Sequence, residues 1–218
     1  MRMQRSARSE IVPLPLTPLR APADAGVSPL HESHMKSHLE HIPHGAYVRI
    51  DRKKIDRLPL FGFVLAANHA HTLLAPANDF LVNGFCVIRN RDVSKHVVYD
   101  DPDCFASRAL QLLAVSAPPP PDIDILSFTS VALSAVRRFP LIVVHAERRR
   151  PGEVWVGKYR GHTKKRLVLD SIDTSARWDG TDTIRLRDVT MIGFGASYES
   201  ALWLVAQERE RIGTAGAN

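Results

Sequence analysis

One heptapeptide occurs twice in the chain, as IRNRDVS at residues 88–94 and as IRLRDVT at residues 184–190. Six of the seven positions are identical or exchange Ser for Thr. Each copy is expected to alternate inward and outward side chains, as a half-buried strand does, until the Arg-Asp pair breaks the alternation. A recurrence of this kind indicates a duplicated domain and limits the folds open to the chain.

Short apolar runs separated by turn residues surround each copy. Asn83-Gly84, a strong hairpin signal, precedes the strand that leads into the first copy. The pattern predicts a mainly β fold with flanking helices (α+β), built as two tandem small five-stranded barrels. The predicted strands are 47–50, 60–66, 71–75, 85–89, 93–99, 141–146, 154–159, 166–172, 183–187 and 190–194, and the predicted helices are 105–114, 125–138 and 197–211.

Four consecutive prolines, residues 118–121, favour an extended linker between the two barrels. Pro59-Leu60 aligns with Pro140-Leu141, 81 positions later, whereas the two heptapeptides are 96 positions apart. This difference predicts 15 extra residues in the hairpins of the second copy. The predicted parts are a disordered or partly helical, His-containing extension (1–44), a first barrel (45–116), a Pro-rich linker (117–122), a second barrel with helices at both ends (123–212) and a disordered tail (213–218).

The second copy also carries the phrase DVTMIGFGASYESAL at residues 188–202. The phrase resembles the end of a small barrel in a widespread group of uncharacterised bacterial proteins. The resemblance implies two barrels of Sm-like or SH3-like type and brings no known activity with it. The residues that match are Asp188, Val189, Thr190, Ile192, Phe194, Gly195, Tyr198, Glu199, Ala201 and Leu202.

The composition restricts the class of protein. The net charge of +6 favours anionic partners such as nucleic acid, without proving one. No apolar run reaches the roughly 18 residues that a membrane span needs, so no membrane partner is predicted. Two cysteines are too few for a disulfide scaffold, and the reducing cytoplasm is the predicted compartment. No cofactor is predicted.

Eight basic residues lie within positions 148–166 and form the best candidate site. We expect the hairpin to bring the turns on both sides of strand 154–159 to neighbouring rims, which would create a phosphate-binding patch. The alternative is that these charges only keep the hairpin soluble. The candidate residues are Arg148, Arg149, Arg150, Lys158, Arg160, Lys164, Lys165 and Arg166.

The repeated arginines are a second candidate, namely Arg89, Arg91, Arg185 and Arg187. They would face solvent if the apolar positions of the heptapeptide point inward. A duplicated phosphate contact is one interpretation, and a solvated strand face is the preferred one.

Four histidines, His31, His34, His38 and His41, would share one face of a helix. No acid or cysteine completes a metal-ligand pattern, so no metal site is predicted and these four are weak candidates.

No Gly-rich phosphate loop, nucleophile elbow or His-Glu-x-x-His pattern occurs, so no motif points to a reaction. The expected function is a non-catalytic interaction or adaptor module, because small barrels offer strand edges and grooves to partners. The alternative is RNA or DNA binding through the basic patch of the second barrel. The sequence defines neither the protein partner nor the oligomeric state.

Overall fold

The computed structural model describes residues 39–52 and 54–215. All of these residues belong to one compact unit. The predictions made for residues 1–38 and for residues 216–218 lie outside the described part of the chain. Among the described residues, no helix combines the length and the apolar character that crossing a membrane requires.

The described chain contains eleven strands, three α-helices and two 3-10 turns. Most strands lie within a few residues of their predicted positions. The strands are β1 (Tyr47–Asp51), β2 (Leu60–Ala67), β3 (His71–Asn78), β4 (Leu81–Val82), β5 (Phe85–Arg89), β6 (Lys95–Val98), β7 (Ile142–His145), β8 (Val154–His162), β9 (Arg166–Ile172), β10 (Trp178–Arg185) and β11 (Met191–Phe194). The helices are α1 (Phe105–Leu112), α2 (Phe128–Ala135) and α3 (Ser197–Ala215), and the 3-10 turns are Leu39–His41 and Asn90–Asp92.

The first two α-helices begin where a side chain accepts an amide hydrogen of the first turn. The Ser127 hydroxyl accepts the N–H of Ser130 at 3.0 Å, so α2 starts three residues after the predicted position. The Cys104 sulfur accepts the N–H of Ser107 at 3.4 Å and begins α1. Local capping therefore fixes helix starts more closely than apolar spacing does.

The strands form one open antiparallel sheet. Their order is β10-β9-β8-β7-β11-β5-β3-β2-β1-β6, with β4 paired to β3 beside this path. The prediction of two small closed five-stranded barrels is therefore wrong. Closure would require β5 to pair with β6, but residues 85–88 of β5 pair with residues 191–194 of β11. A strand has the same alternating pattern whichever neighbour it has, so the sequence could not distinguish the two arrangements.

The strand order repeats within the sheet. The first half (β1–β6) reads β5-β3-β2-β1-β6 from its inner edge, and the second half (β7–β11) reads β10-β9-β8-β7-β11. The heptapeptides connect β5 to β6 and β10 to β11. Strands β5 and β10 therefore occupy the same place in their halves, and so do β6 and β11.

Two glycines mark the same backbone position in both halves. Gly62 of β2 and Gly157 of β8 are 95 positions apart, and each faces a backbone carbonyl of the next strand. A Cβ atom on either glycine would lie 2.4 Å from that oxygen, which belongs to Ala75 in the first half and to Asp170 in the second. No other residue fits there without displacement of the backbone.

Strand registers extend this correspondence. β2 and β8 carry a bulge at residues 64–66 and 159–161, again 95 positions apart. Residues at corresponding places in the two halves are 94 to 96 positions apart in the sequence throughout the sheet. The predicted insertion of 15 residues is therefore wrong. Pro59-Leu60 stands at the start of β2, whereas Pro140-Leu141 precedes β7, the counterpart of β1, so the two pairs do not correspond.

The largest hydrophobic cluster contains residues of both halves together with α2. In the first half it takes in one face of the sheet, including Tyr47 and Phe63, while Val48 and Ile50 pack on the opposite face in a second cluster. A third cluster holds α3 through Leu202 against the second half. The first half is thus buried on both faces.

Side chains also tie the halves together. Arg52 is 1% exposed and donates from both terminal nitrogens to the Glu147 carboxylate, at 3.1 and 2.8 Å. The Asn83 amide oxygen accepts the N–H and the hydroxyl of Ser197, both at 2.9 Å, at the start of α3. The segment between the halves packs as well, since Ile125 lies against the main cluster.

Candidate nucleic-acid interface

The eight basic residues of the predicted patch fall into three groups around β8. Residues 148–150 precede the strand, Lys158 and Arg160 lie on it, and residues 164–166 follow it. Both turns reach the corner formed by residues 186–188. Arg149 Nε lies 3.7 Å from Asp188 Oδ1, and the Lys165 carbonyl accepts the N–H of Leu186 at 2.9 Å. The three groups differ in how far carboxylates neutralise them.

Arginines of the first turn each contact an acid. Arg148 Nη2 is 2.6 Å from Asp92 Oδ1, and Arg150 Nη1 is 2.9 Å from Glu153 Oε2. Arg149 contacts Asp188, as above. Each of these three arginines thus has a carboxylate within ion-pair distance. Asp92 and Asp188 are each shared with a second arginine, Arg89 and Arg187.

The cations of β8 are also engaged. Lys158 Nζ lies 5.2 Å from the centre of the Trp203 ring, within the range of a cation–π contact. Arg160 Nη1 lies 3.1 Å from Asp170 Oδ1 and 3.0 Å from Thr181 Oγ1. Both side chains lie on an open face of the second half.

The turn after β8 presents a different environment. Thr163 Oγ1 accepts the N–H groups of Lys165 and Arg166, at 3.3 and 3.1 Å, and so holds the turn. Arg166 stands directly opposite Arg185 across β9 and β10. Two like charges in that position destabilise a sheet. We name Lys164, Lys165, Arg166 and Arg185 the distal basic cluster; no carboxylate within the described residues forms an ion pair with them.

A cleft of about 610 Å³ opens where the halves meet. The loop before β3, the end of β5, the start of α2 and the second heptapeptide enclose it. No acidic side chain of the described chain lines it. We name it the junction cleft; its lining residues are His69, Ala70, His71, Arg89, Arg91, Ser127, Phe128, Thr129, Leu186 and Arg187.

Arg89 forms the floor of the junction cleft. Its Nε donates to Asp92 Oδ2 at 2.9 Å, and its Nη1 donates to the Arg187 carbonyl at 3.1 Å. Burial lowers the pKa of Arg89, and the Asp92 carboxylate opposes that effect. Arg89 is therefore a fixed structural cation, whereas Arg91, at the same cleft, is exposed.

His71 lies in the wall of the cleft and is 8% exposed. Burial lowers the pKa of its imidazole, although a hydrogen bond to the backbone of Ile125 opposes the shift. The ring is consequently neutral near pH 7. Its Nδ1 is buried and has no hydrogen-bond partner among the described residues. Its edge packs against Phe128, with ring centres 4.9 Å apart, at the start of α2.

The start of α2 adds to the positive character of the cleft. Ser127, Phe128 and Thr129 all line it, and the first amides of a helix have no partner within the helix. Together with the helix dipole, such amides attract anions. The cleft thus combines arginine side chains, helix amides and a buried imidazole nitrogen without a partner.

The junction cleft and the distal basic cluster are built from corresponding residues of the two halves. His69, His71 and Arg89 correspond to Lys164, Arg166 and Arg185. The supporting bonds correspond too, because Asn68 Oδ1 accepts the N–H groups of residues 70 and 71 just as Thr163 does for residues 165 and 166. The two sites are contiguous, since Leu186 lines the cleft and bonds Lys165.

The sequence indicated only part of this surface. It singled out residues 164–166 and the four repeated arginines but did not join them, and it did not connect the loop at residues 68–71 with either group. A constant separation of 95 positions would have placed this loop on residues 163–166. The false match of Pro59-Leu60 with Pro140-Leu141 concealed that correspondence.

Of the four weak metal candidates, His41 lies within the described residues. His31, His34 and His38 lie outside the described residues, and His41 ends a 3-10 turn. Within the described ranges, no group of three His, Cys, Asp or Glu side chains could hold a metal ion.

No protein-family model, no curated protein and no solved structure matches the chain. The resemblance to bacterial small-barrel proteins therefore stays a prediction.

Proposed function

We propose that the protein is a non-catalytic nucleic-acid-binding protein. In this proposal the phosphate backbone of a single strand runs along the distal basic cluster and into the junction cleft. The supporting observation is that Arg91 at the junction cleft and Arg166 in the distal basic cluster form no ion pair with a carboxylate of the described chain.

A phosphate between Arg166 and Arg185 would remove a local cost. The two guanidinium groups stand opposite each other on neighbouring strands, where like charges repel. Guanidinium groups form paired hydrogen bonds with phosphate oxygens, so an anion bridging them would turn repulsion into binding.

The shape of the surface favours a single strand over a duplex. The start of α2 forms one wall of the cleft, and a flexible chain enters such a space more easily than a rigid double helix. Phe128 lines the cleft but is 6% exposed, so little of its ring is open to a base. Binding should therefore depend on phosphates and tolerate many sequences.

The test measures single-stranded RNA and DNA binding by fluorescence anisotropy over a series of salt concentrations. The first variant replaces Lys164, Lys165 and Arg166 with Ser. If each lost phosphate contact changes the slope of log affinity against log salt by about 0.7, the slope should fall by about 2. Affinity should fall for every sequence tested, because no base contact is removed.

A matched control replaces Arg149, Arg150 and Arg160 with Ser. This variant loses the same charge, but each of these arginines contacts a carboxylate in the wild type. Its salt slope should change by less than about 1. Equal slopes in the two variants would show that only net charge matters and would remove the proposed site.

A protein adaptor is the second candidate function, and α3 provides the observation in its favour. Leu204, Val205 and Ile212 are 65%, 47% and 63% exposed and line one open apolar cleft with Glu208 and Arg209. Exposed apolar patches of this kind mark protein-interaction sites. The distinguishing variant replaces Leu204 and Val205 with Ser. This variant should abolish capture of a specific protein partner and leave nucleic-acid affinity unchanged. If it loses nucleic-acid affinity and still captures the partner, the adaptor function through α3 is wrong.

A further inference from the structure

The two outer strands of the sheet, β6 and β10, each have one neighbouring strand within the described residues. Open strand edges carry backbone groups that can pair with another chain. The two edge strands have counterparts in the opposite halves, and these counterparts pair with each other inside the molecule. β6 corresponds to β11, β10 corresponds to β5, and β5 pairs with β11 where the halves meet.

We propose that copies of this chain pair head to tail, with β6 of one copy against β10 of the next. The internal junction sets the register, because Met191 pairs with Ile88 and each strand is 96 positions from its counterpart. Applied to the outer edges, this register pairs Lys95 with Ile184, His96 with Thr183, Val97 with Asp182 and Val98 with Thr181.

The backbone groups on both edges point the required way. The N–H of Tyr99 bonds the Tyr47 carbonyl, so alternation directs the backbone groups of His96 and Val98 away from β1. The N–H of Leu186 bonds Lys165, so the groups of Thr183 and Thr181 point away from β9. These are the residues that the proposed register places opposite each other.

A turn at the start of β10 supports the same pairing. Asn83-Gly84 begins β5, and Asp179-Gly180 stands at the corresponding place in β10, with both glycines at positive φ. A Cβ on Gly84 would lie 2.6 Å from the backbone nitrogen of Ala196 in the other half. A Cβ on Gly180 would meet no described atom within 4 Å. The turn at Gly180 therefore resembles the turn at Gly84, but no described segment lies against it as Ala196 lies against Gly84.

Charge distinguishes the outer edges from the internal junction. Inside the molecule, Asn83 accepts two hydrogen bonds from Ser197. At the outer edges, Asp179 corresponds to Asn83 and Asp101 corresponds to Ser197. In the proposed pairing, these two carboxylates from different copies would approach each other. The proposed pairs are also more polar than the internal ones. Association between copies should therefore be reversible and weaker than the contact between halves.

Such a contact joins two different surfaces of the same chain. Repeated from copy to copy, it gives a closed ring if the rotation closes and a filament if it does not. Nucleic acid is not required for it, so the tests use protein freed of nucleic acid by nuclease treatment.

Disulfide cross-linking tests the register. Val97 and Asp182 would be opposite residues without direct hydrogen bonds, with Cα atoms about 4.5 Å apart, which suits a disulfide. Val97→Cys with Asp182→Cys, in a Cys104→Ser background, should give a ladder of covalent oligomers on oxidation. The control, Val97→Cys with Thr183→Cys, places the second thiol on the other face of the strand and should give no ladder. A ladder in both variants, or in neither, would overturn the proposal.

Sedimentation of the otherwise unmodified protein provides an independent test. Asp179→Asn restores the side chain of the internal junction and should raise the association constant by up to about fivefold. Thr183→Pro removes an outward N–H, which an edge strand tolerates, and should abolish association. A folded Thr183→Pro variant that associates like the wild type would contradict the proposal, as would an Asp179→Asn variant that associates less.

Discussion

The two halves of the sheet share a backbone plan and bury different faces of it. Phe63 of the first half is 3% exposed in the main core, whereas its counterpart, Lys158, is exposed. Likewise Ala75 is fully buried, and Asp170 at the corresponding place contacts Arg160. Helix α1 and the segment up to Ile125 cover this face in the first half. In the second half α3 reaches only one end of it, around Leu202.

The comparison distinguishes residues that the strand spacing requires from residues that depend on what covers each face of the sheet. Close approach of neighbouring strands demands glycine at residues 62 and 157, whichever face is buried. Which side chains a face carries depends on what covers that face. The first half therefore has Phe63 and Leu65 where the second has Lys158 and Arg160. The loop of the second half carries Lys164 and Arg166 where that of the first has histidines.

The largest expected contrast lies in truncation of Phe63 and Lys158. Phe63→Ala should lower the free energy of unfolding by about 3–5 kcal/mol, because it leaves a cavity in the core. Lys158→Ala should cost no more than about 1 kcal/mol, the scale of an exposed cation–π contact. Urea denaturation of both variants measures the difference. Similar losses at the two positions would mean that the second half is covered as the first is.

A smaller effect is expected at the corresponding glycines, and here the halves should agree. Gly62→Ala and Gly157→Ala each force a Cβ against a carbonyl oxygen, and each should cost about 1–3 kcal/mol. Gly161→Ala is the control, since its Cβ would meet no described atom within 4 Å. Thermal and urea unfolding provide the measurement. A tolerated substitution at only one of the two glycines would break the correspondence of the halves.

Local structure could be predicted well from the sequence. β5 and β9 begin and end where the pattern indicated, because alternation and flanking turn residues define them directly. β10 begins at Trp178, five residues before the predicted start at 183, since a register shift between residues 178 and 181 interrupts its alternation. That the sheet stays open could not be predicted, because the pairing of β5 with β11 is a long-range contact, like that of Arg52 with Glu147.

The candidate site was predictable only in pieces. The positive charge of residues 148–166 is visible in the sequence, but which of these residues contact a carboxylate is not. Arg148 looks like Lys164 in sequence, and only the fold brings Asp92 to it. The loop at residues 68–71 carries little charge, and the strand registers alone show its correspondence to the basic loop.

The smallest expected effects concern the residues that hold these two loops, and they should differ between halves. Asn68 Oδ1 accepts two backbone N–H groups, and its Nδ2 also donates to the Ile125 carbonyl at 3.0 Å. Thr163 accepts the corresponding two groups in the second half. Thr163→Asn should keep the turn and change stability by less than about 0.5 kcal/mol. Asn68→Thr should also keep the turn but lose the bond to Ile125, at a cost of about 0.5–1.5 kcal/mol.

Asn68→Asp separates the two roles of Asn68, because it retains the acceptors and removes the donor. Its loss of stability should match that of Asn68→Thr when both are measured by urea denaturation above pH 7. If instead Asn68→Thr is neutral and Thr163→Asn is costly, the bond to Ile125 contributes nothing. The covering segment would then rest on apolar contacts of Ile123 and Ile125 alone. The predicted order follows from a single difference between the halves, since only the first has a segment for this amide to hold.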